Sequence, residues 1–143
     1  RSKKPLNKIT VTELSKNAMI SKATFYLHYE DIYDLSEKLQ NRLVSDIINE
    51  IPNPEYIITD PGEYSKSLFE AFASNTALTD ILFPESERNL LADRIETHIK
   101  SDFYKMRPEL LNKPILHFQC LSTVLFMPFA IICGITPRKP LNT

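Results

Sequence analysis

Apolar residues recur at every third or fourth position along most of the chain, the spacing of helices that bury one face. Val11, Leu14 and Ala18 share one face of a first short helix. The period breaks over residues 17–20 and resumes after Ser21, with Ile20 and Phe25 expected to point inward. Leu35, Leu39, Leu43 and Ile47 then repeat every fourth residue, and Ile32, Val44, Ile48 and Ile51 broaden the stripe. This pattern predicts a helix over residues 31–50, about 30 Å long at 1.5 Å per residue. Pro52-Asn53-Pro54 and Asp60-Pro61-Gly62 punctuate a connecting segment. Tyr64, Leu68, Phe69, Phe72 and Ala73 predict an amphipathic helix, and residues 79–83 a short helical turn ended by Pro84. A further helix opens at Ser86 and stops at Pro108. Its inward residues are Leu90, Leu91, Ile95, Ile99 and Phe103, and Arg88, Asp93, Glu96 and Lys100 face outward. The chain has 2 glycines, few for a turn-rich β protein, so the expected class is all-α.

The helix starts are marked by capping residues. Thr10-Val11-Thr12-Glu13 fits the capping box, in which the hydroxyl and the carboxylate each satisfy an orphan backbone N–H. Ser21 and Asp31 are the next N-cap residues, with Asp34 at the third position of its helix. Two short capped helices around a tight turn form a helix-turn-helix pattern over residues 9–29.

Composition narrows the class. A chain of 143 residues with 43% hydrophobic and 24% charged residues suits a soluble globular protein of one large or two small domains. The net charge of −1 hides an asymmetry: residues 1–30 carry six basic and two acidic side chains (+4), and the rest carry 11 basic and 16 acidic (−5). A basic head on an acidic body is the footprint expected where only the head meets a polyanion. Cys120 and Cys133 have no zinc spacing and read as core thiols of a reducing, cytoplasmic protein. No Gly-rich phosphate loop, metal cluster or paired nucleophile and base is present in the sequence, so neither an enzyme nor a cofactor is expected. His28 has no partner ligand at i±4 and is not expected to hold a metal.

The second short helix carries the binding chemistry. Lys22, Ala23, Thr24, Tyr26 and Leu27 would present an ammonium, a methyl, a hydroxyl, a phenol and an apolar tip. That set suits phosphates and major-groove base edges. His28 and Tyr29 follow at the helix end, within reach of a second phosphate strand.

The segments ITVTELSKNA, ISKATFYLHY and EDIYDLSEKL resemble the DNA-binding domain of the TetR/AcrR family of bacterial transcriptional regulators. The S-K-x-T-x-Y-x-H-Y order carries the resemblance, which covers residues 9–39. It implies a helix-turn-helix domain over residues 1–45 and a helical ligand-binding and dimerisation domain over residues 46–143. It further implies a sequence-specific regulator, a repressor acting as a homodimer on a palindromic double-stranded DNA operator. Two recognition helices would enter successive major grooves about 34 Å apart. The DNA-binding residues implied are Thr10, Thr12, Lys22, Ala23, Thr24, Tyr26, Leu27, His28 and Tyr29. Thr10 and Thr12 would reach phosphate at the first helix N-terminus. A small apolar effector would bind in the body, where Phe69, Phe72, Phe103, Phe118 and Phe126 are the candidate lining; core filling is the plainer role for them.

The chain departs from the family pattern in four places. Met19 stands at the turn where the family usually has glycine, which implies either a turn without a left-handed residue or a strained one. Glu30 stands near a common lysine and suits the start of the following helix instead. Only RSKKPLNK precedes the motif where the family has a full helix, so the expected protein is longer than these residues. The tail TPRKPLNT is polar and proline-rich where the family has the second of two pairing helices, which is therefore expected to be missing, divergent or beyond these residues.

Residues 115–135 carry no charge, and their length matches a membrane span of about 20 residues. Pro128 would interrupt such a helix, and His117, Gln119, Ser122 and Thr123 crowd one end. A buried or subunit-facing helix is expected there, not a membrane span. The competing functional class is a helical adaptor that keeps the same scaffold and binds protein instead of DNA.

Overall fold

Eighteen residues form the longest element of the N-terminal half, α3 (Ile32–Asn49), and the remaining helices are placed around it. The computed structural model describes residues 4–108. The uncharged run 115–135, with Phe118, Phe126, Cys120 and Cys133, lies outside the described residues. Among those described, seven α-helices and two short 3-10 turns occur and there is no strand, so the all-α expectation holds. No helix among them is long and apolar enough to cross a membrane.

Helix α1 (Val11–Asn17) begins at Thr10, whose Oγ1 accepts from the Glu13 N–H at 3.2 Å. Only this half of the expected capping box forms, because the Glu13 carboxylate turns to Lys4 Nζ at 2.6 Å. Helix α2 (Lys22–His28) begins at Ser21, whose Oγ accepts from the Thr24 N–H at 3.0 Å. Helix α3 begins at Asp31, which accepts from the N–H groups of Tyr33 and Asp34, both at 2.8 Å.

The turn between α1 and α2 resolves the question posed by Met19. Its φ is +55°, the left-handed region that disfavours a side chain. Met19 N–H donates to the Lys16 carbonyl and Ile20 N–H to the Ser15 carbonyl, at 3.2 and 3.0 Å. This 5→2 and 6→1 pair is the Schellman arrangement, with Met19 at the position that glycine usually fills. The turn therefore keeps its left-handed residue and carries the strain.

Helix α4 (Tyr56–Thr59) is a single turn between the prolines, absent from the periodicity because four residues are too few to show one. It seats Ile57 in the core at 1% exposure. Asp60 caps α5 (Pro61–Ser74), with Pro61 at the first position, where its missing N–H costs nothing. Helix α6 (Thr76–Leu82) is longer than the expected turn and ends before the fully buried Phe83. Helix α7 (Arg88–Met106) lies against α3 and buries Leu91, Ala92, Ile95, Ile99 and Phe103. Leu90, expected inward, stays partly exposed. The main core joins Val44, Ile47, Ile48 and Ile51 to residues of α4, α5 and α7.

The buried face of α3 is turned from the expected leucine line. Ile32, Ser36, Gln40, Val44, Ile47 and Ile48 are buried, whereas Leu39 is 41% exposed and Leu35 and Leu43 are half-buried. A polar network explains how Gln40 occupies the inner face, whereas the Ser36 hydroxyl is buried there without a hydrogen-bond partner. Gln40 Nε2 donates to the Leu82 carbonyl at 2.8 Å and to Glu87 Oε2 at 3.1 Å. Arg94 of α7 donates back to Gln40 Oε1 at 3.3 Å and to Asn41 Oδ1. Every polar group of the Gln40 amide thus has a partner, the condition for burying it.

Candidate nucleic-acid interface

The α1–α2 unit hides little of α2. Phe25 is buried at 2% exposure, and Tyr29 lies half-buried against it with ring centroids 5.4 Å apart. Ile20, expected inward with Phe25, is 41% exposed because the Schellman turn carries it past the end of α1. Thr10, Thr12, Lys22, Ala23, Thr24, Tyr26, Leu27 and His28 are all exposed. Leu27 is 80% exposed and Tyr26 57%, unusual for side chains of that size on a helix with a core partner.

Hydrogen bonding sets what each polar side chain retains. The Thr10 hydroxyl accepts from Glu13 N–H, which leaves its own proton free to donate. Thr24 Oγ1 lies 2.8 Å from Ser21 Oγ, so the pair shares one hydrogen bond at the head of α2. Lys8, Lys16 and Lys22 make no ion pair with a described residue, whereas Lys4 is held by Glu13. The exposed lysines and the phenol therefore face solvent with their charge and donors unspent.

The far end of α2 is fixed by a residue that periodicity did not single out. Lys38 Nζ donates to the His28 carbonyl at 3.1 Å and to Asp34 Oδ2 at 2.9 Å, and lies 5.4 Å from the Tyr29 ring centroid. A cation at these carbonyls satisfies a helix C-terminus and favours its dipole. Asp34 also accepts from the Glu30 N–H at 2.9 Å. The Lys38 hydrogen bond, with the Glu30 N–H second, holds the Asp34 carboxyl below its ordinary range, and Asp34 in turn raises the Lys38 ammonium. The Asp34–Lys38 pairing is legible in sequence as an i,i+4 pair; its reach to His28, ten residues away, is not.

Of the five residues expected to line an effector pocket, Phe118 and Phe126 lie outside the described residues. Phe72 and Phe103 are packed in the core, and Phe69 is 37% exposed. The cavities at this level have other linings. One of about 540 Å³ lies between α3 and α7 beside Arg42, Arg94 and His98. One of about 100 Å³ is bordered by Ile57, Tyr64 and Asp102. Among the described residues no group of three or more His, Cys, Asp and Glu is arranged to hold a metal ion. Comparison of the chain with protein-family models, curated proteins and solved structures gives no match.

Proposed function

We propose that this chain is a sequence-specific DNA-binding transcriptional regulator of the TetR/AcrR type, acting as a homodimeric repressor, with α2 as the recognition helix. The observation that carries the reading is the one-sidedness of α2. It buries Phe25 alone and leaves Lys22, Ala23, Thr24, Tyr26, Leu27 and His28 outward on a basic two-helix unit. Ala23 lets the helix approach a groove closely, Lys22 and Tyr26 supply donors to phosphate, and Leu27 offers an apolar surface to a thymine methyl. Lys38 and Tyr29 set the direction of α2 from α3. Release by an effector requires a ligand with different affinity for two arrangements of head and body.

The test is fluorescence anisotropy against duplexes tiled from the chain's own promoter region, repeated at several salt concentrations. A saturable, sequence-selective signal is expected, with log K falling steeply as log salt rises. Lys22→Ala with Tyr26→Ala should weaken binding to all duplexes, and unchanged binding at physiological salt would remove both residues from the interface. The exposure of Met19 at 92% and Leu27 at 80% favours one second reading, an adaptor that keeps the scaffold and docks protein through its exposed apolar side chains. A flat salt slope would select it.

A further inference from the structure

Helix α2 has seven residues and buries one of them, Phe25, which sets the directions in which the others leave the helix. At about 100° per residue, Thr24 and Tyr26 leave from the two flanks. Lys22 and His28 leave about 60° on either side of Phe25, toward the protein. Ala23 and Leu27, two residues before Phe25 and two after it, both fall within about 20° of the opposite direction. The outermost line of α2 is therefore a methyl and an isobutyl group. Both residues are exposed, Leu27 to 80%.

Contacts within the unit keep the polar groups off that line. The Tyr26 ring stands edge-on to the Phe25 ring with centroids 5.4 Å apart, which holds the phenol to one flank. Thr24 Oγ1 shares a hydrogen bond with Ser21 Oγ at 2.8 Å. The His28 ring lies 6.2 Å from the Tyr29 ring, which itself packs on Phe25. Helix α2 also lacks arginine, asparagine and glutamine, which make paired hydrogen bonds to guanine or adenine, and its one lysine leaves on the protein side. A helix lying in a major groove with Phe25 toward its own protein thus meets the base edges with hydrocarbon. The apolar group on those edges is the C5-methyl of thymine.

We infer that α2 selects its duplex by thymine methyl groups, with Leu27 the specificity-determining residue and Ala23 allowing the close approach. This rests on the duplex-binding reading and narrows it: each half-site must present thymine methyls along the strip facing Ala23 and Leu27. Lys22 and Tyr26 donate to phosphates, contacts that add affinity and position the helix without reading sequence.

The test is a thymine-to-uracil scan. The tightest-binding duplex among those tiled from the chain's own promoter region is remade with each thymine in turn replaced by deoxyuridine. The replacement removes the methyl and keeps every hydrogen-bonding group. At positions that touch Leu27 it should weaken binding about fourfold, the loss of one buried carbon, and elsewhere it should change nothing. Leu27→Ala should bind the parent duplex more weakly and lose its sensitivity at those same positions. Lys22→Ala should weaken every duplex and keep the uracil pattern. Selective binding that is indifferent to uracil at every position, or an unchanged pattern in Leu27→Ala, would overturn methyl readout and leave the duplex-binding reading standing. Failure to bind any thymine duplex selectively would overturn both.

Discussion

Lys38 Nζ donates to the His28 carbonyl at 3.1 Å and so ties the end of α2 to the first turns of α3. The contact is exposed, and pairs of this kind add little to global stability. Its value lies in direction. Lys38→Met should leave the thermal midpoint nearly unchanged and weaken specific duplex binding several-fold, because α2 loses its fixed angle. Equal affinity for the variant and the parent chain in the anisotropy assay would show that Tyr29 and Phe25 orient α2 without it. The neighbouring Lys38–Asp34 hydrogen bond predicts an acid limit. Asp34 is held below its ordinary value, so its contribution is complete above about pH 4 and is lost as pH falls through the folded-state value.

Met19 has a φ of +55° at a position that suits glycine. Met19→Gly removes the left-handed penalty and adds chain entropy to the unfolded state, for a net gain of about 0.5–1 kcal/mol. Urea unfolding should show a higher midpoint with an unchanged slope. A lower midpoint would mean that the 92% exposed thioether makes a stabilising contact outside the described residues.

Gln40 is 3% exposed and bridges Leu82, Glu87 and Arg94. Gln40→Ala removes its hydrogen bonds to the Leu82 carbonyl, Glu87 and Arg94 from a buried site, which should cost about 2–3 kcal/mol. Arg94→Met should cost a comparable amount alone. The double variant should lose less than the sum, because each single change already breaks the same network. Strict additivity in denaturant melts would show that the two side chains act separately.

Burial, with the Asp102 carboxylate second, pushes the Tyr64 phenol up to about 12. An unfolded chain releases this proton near pH 10. Between the two values the folded chain holds a proton that the unfolded chain has lost, so stability falls as pH rises. A gap of this size amounts to roughly 2–3 kcal/mol. Tyr64→Phe should move the alkaline unfolding midpoint upward while changing the melt near neutral pH by at most ~1 kcal/mol. An unmoved alkaline midpoint would assign that transition to other groups.

Local hydrogen-bond grammar was the most legible part of the sequence. Thr10, Ser21 and Asp31 all cap the helices that follow them, because the N-cap bond depends only on residues two or three positions on; Asp60, expected only to punctuate a connecting segment, caps α5 by the same bond. The exposure of Lys22, Thr24, Tyr26 and Leu27 beside the buried Phe25 also follows from position on one helical turn. What the sequence hid is what depends on distant partners. A leucine repeat at 35, 39 and 43 outweighs Ser36 and Gln40 in any hydrophobic count, yet Gln40 is inside because Leu82 and Arg94, more than forty residues away, supply its hydrogen bonds. Glu13 has the spacing of a capping box, but Lys4 offers the carboxylate a stronger partner. Ile20 left the core because an unusual left-handed methionine sets the turn before it.

Helix α3 runs from Ile32 to Asn49 with no proline or glycine, and it carries the Lys38 tie near one end and the Gln40 network beyond it. At 1.5 Å per residue the rod is about 27 Å long, so a tilt of roughly 5° about its far end moves the near end by about 2 Å. That displacement is several times the spread of about 0.5 Å in hydrogen-bond distances, enough to break a contact to a base edge. The aim of α2 is therefore a matter of angular stiffness: small play where α3 meets α7 is magnified along the helix into a positional error at the head.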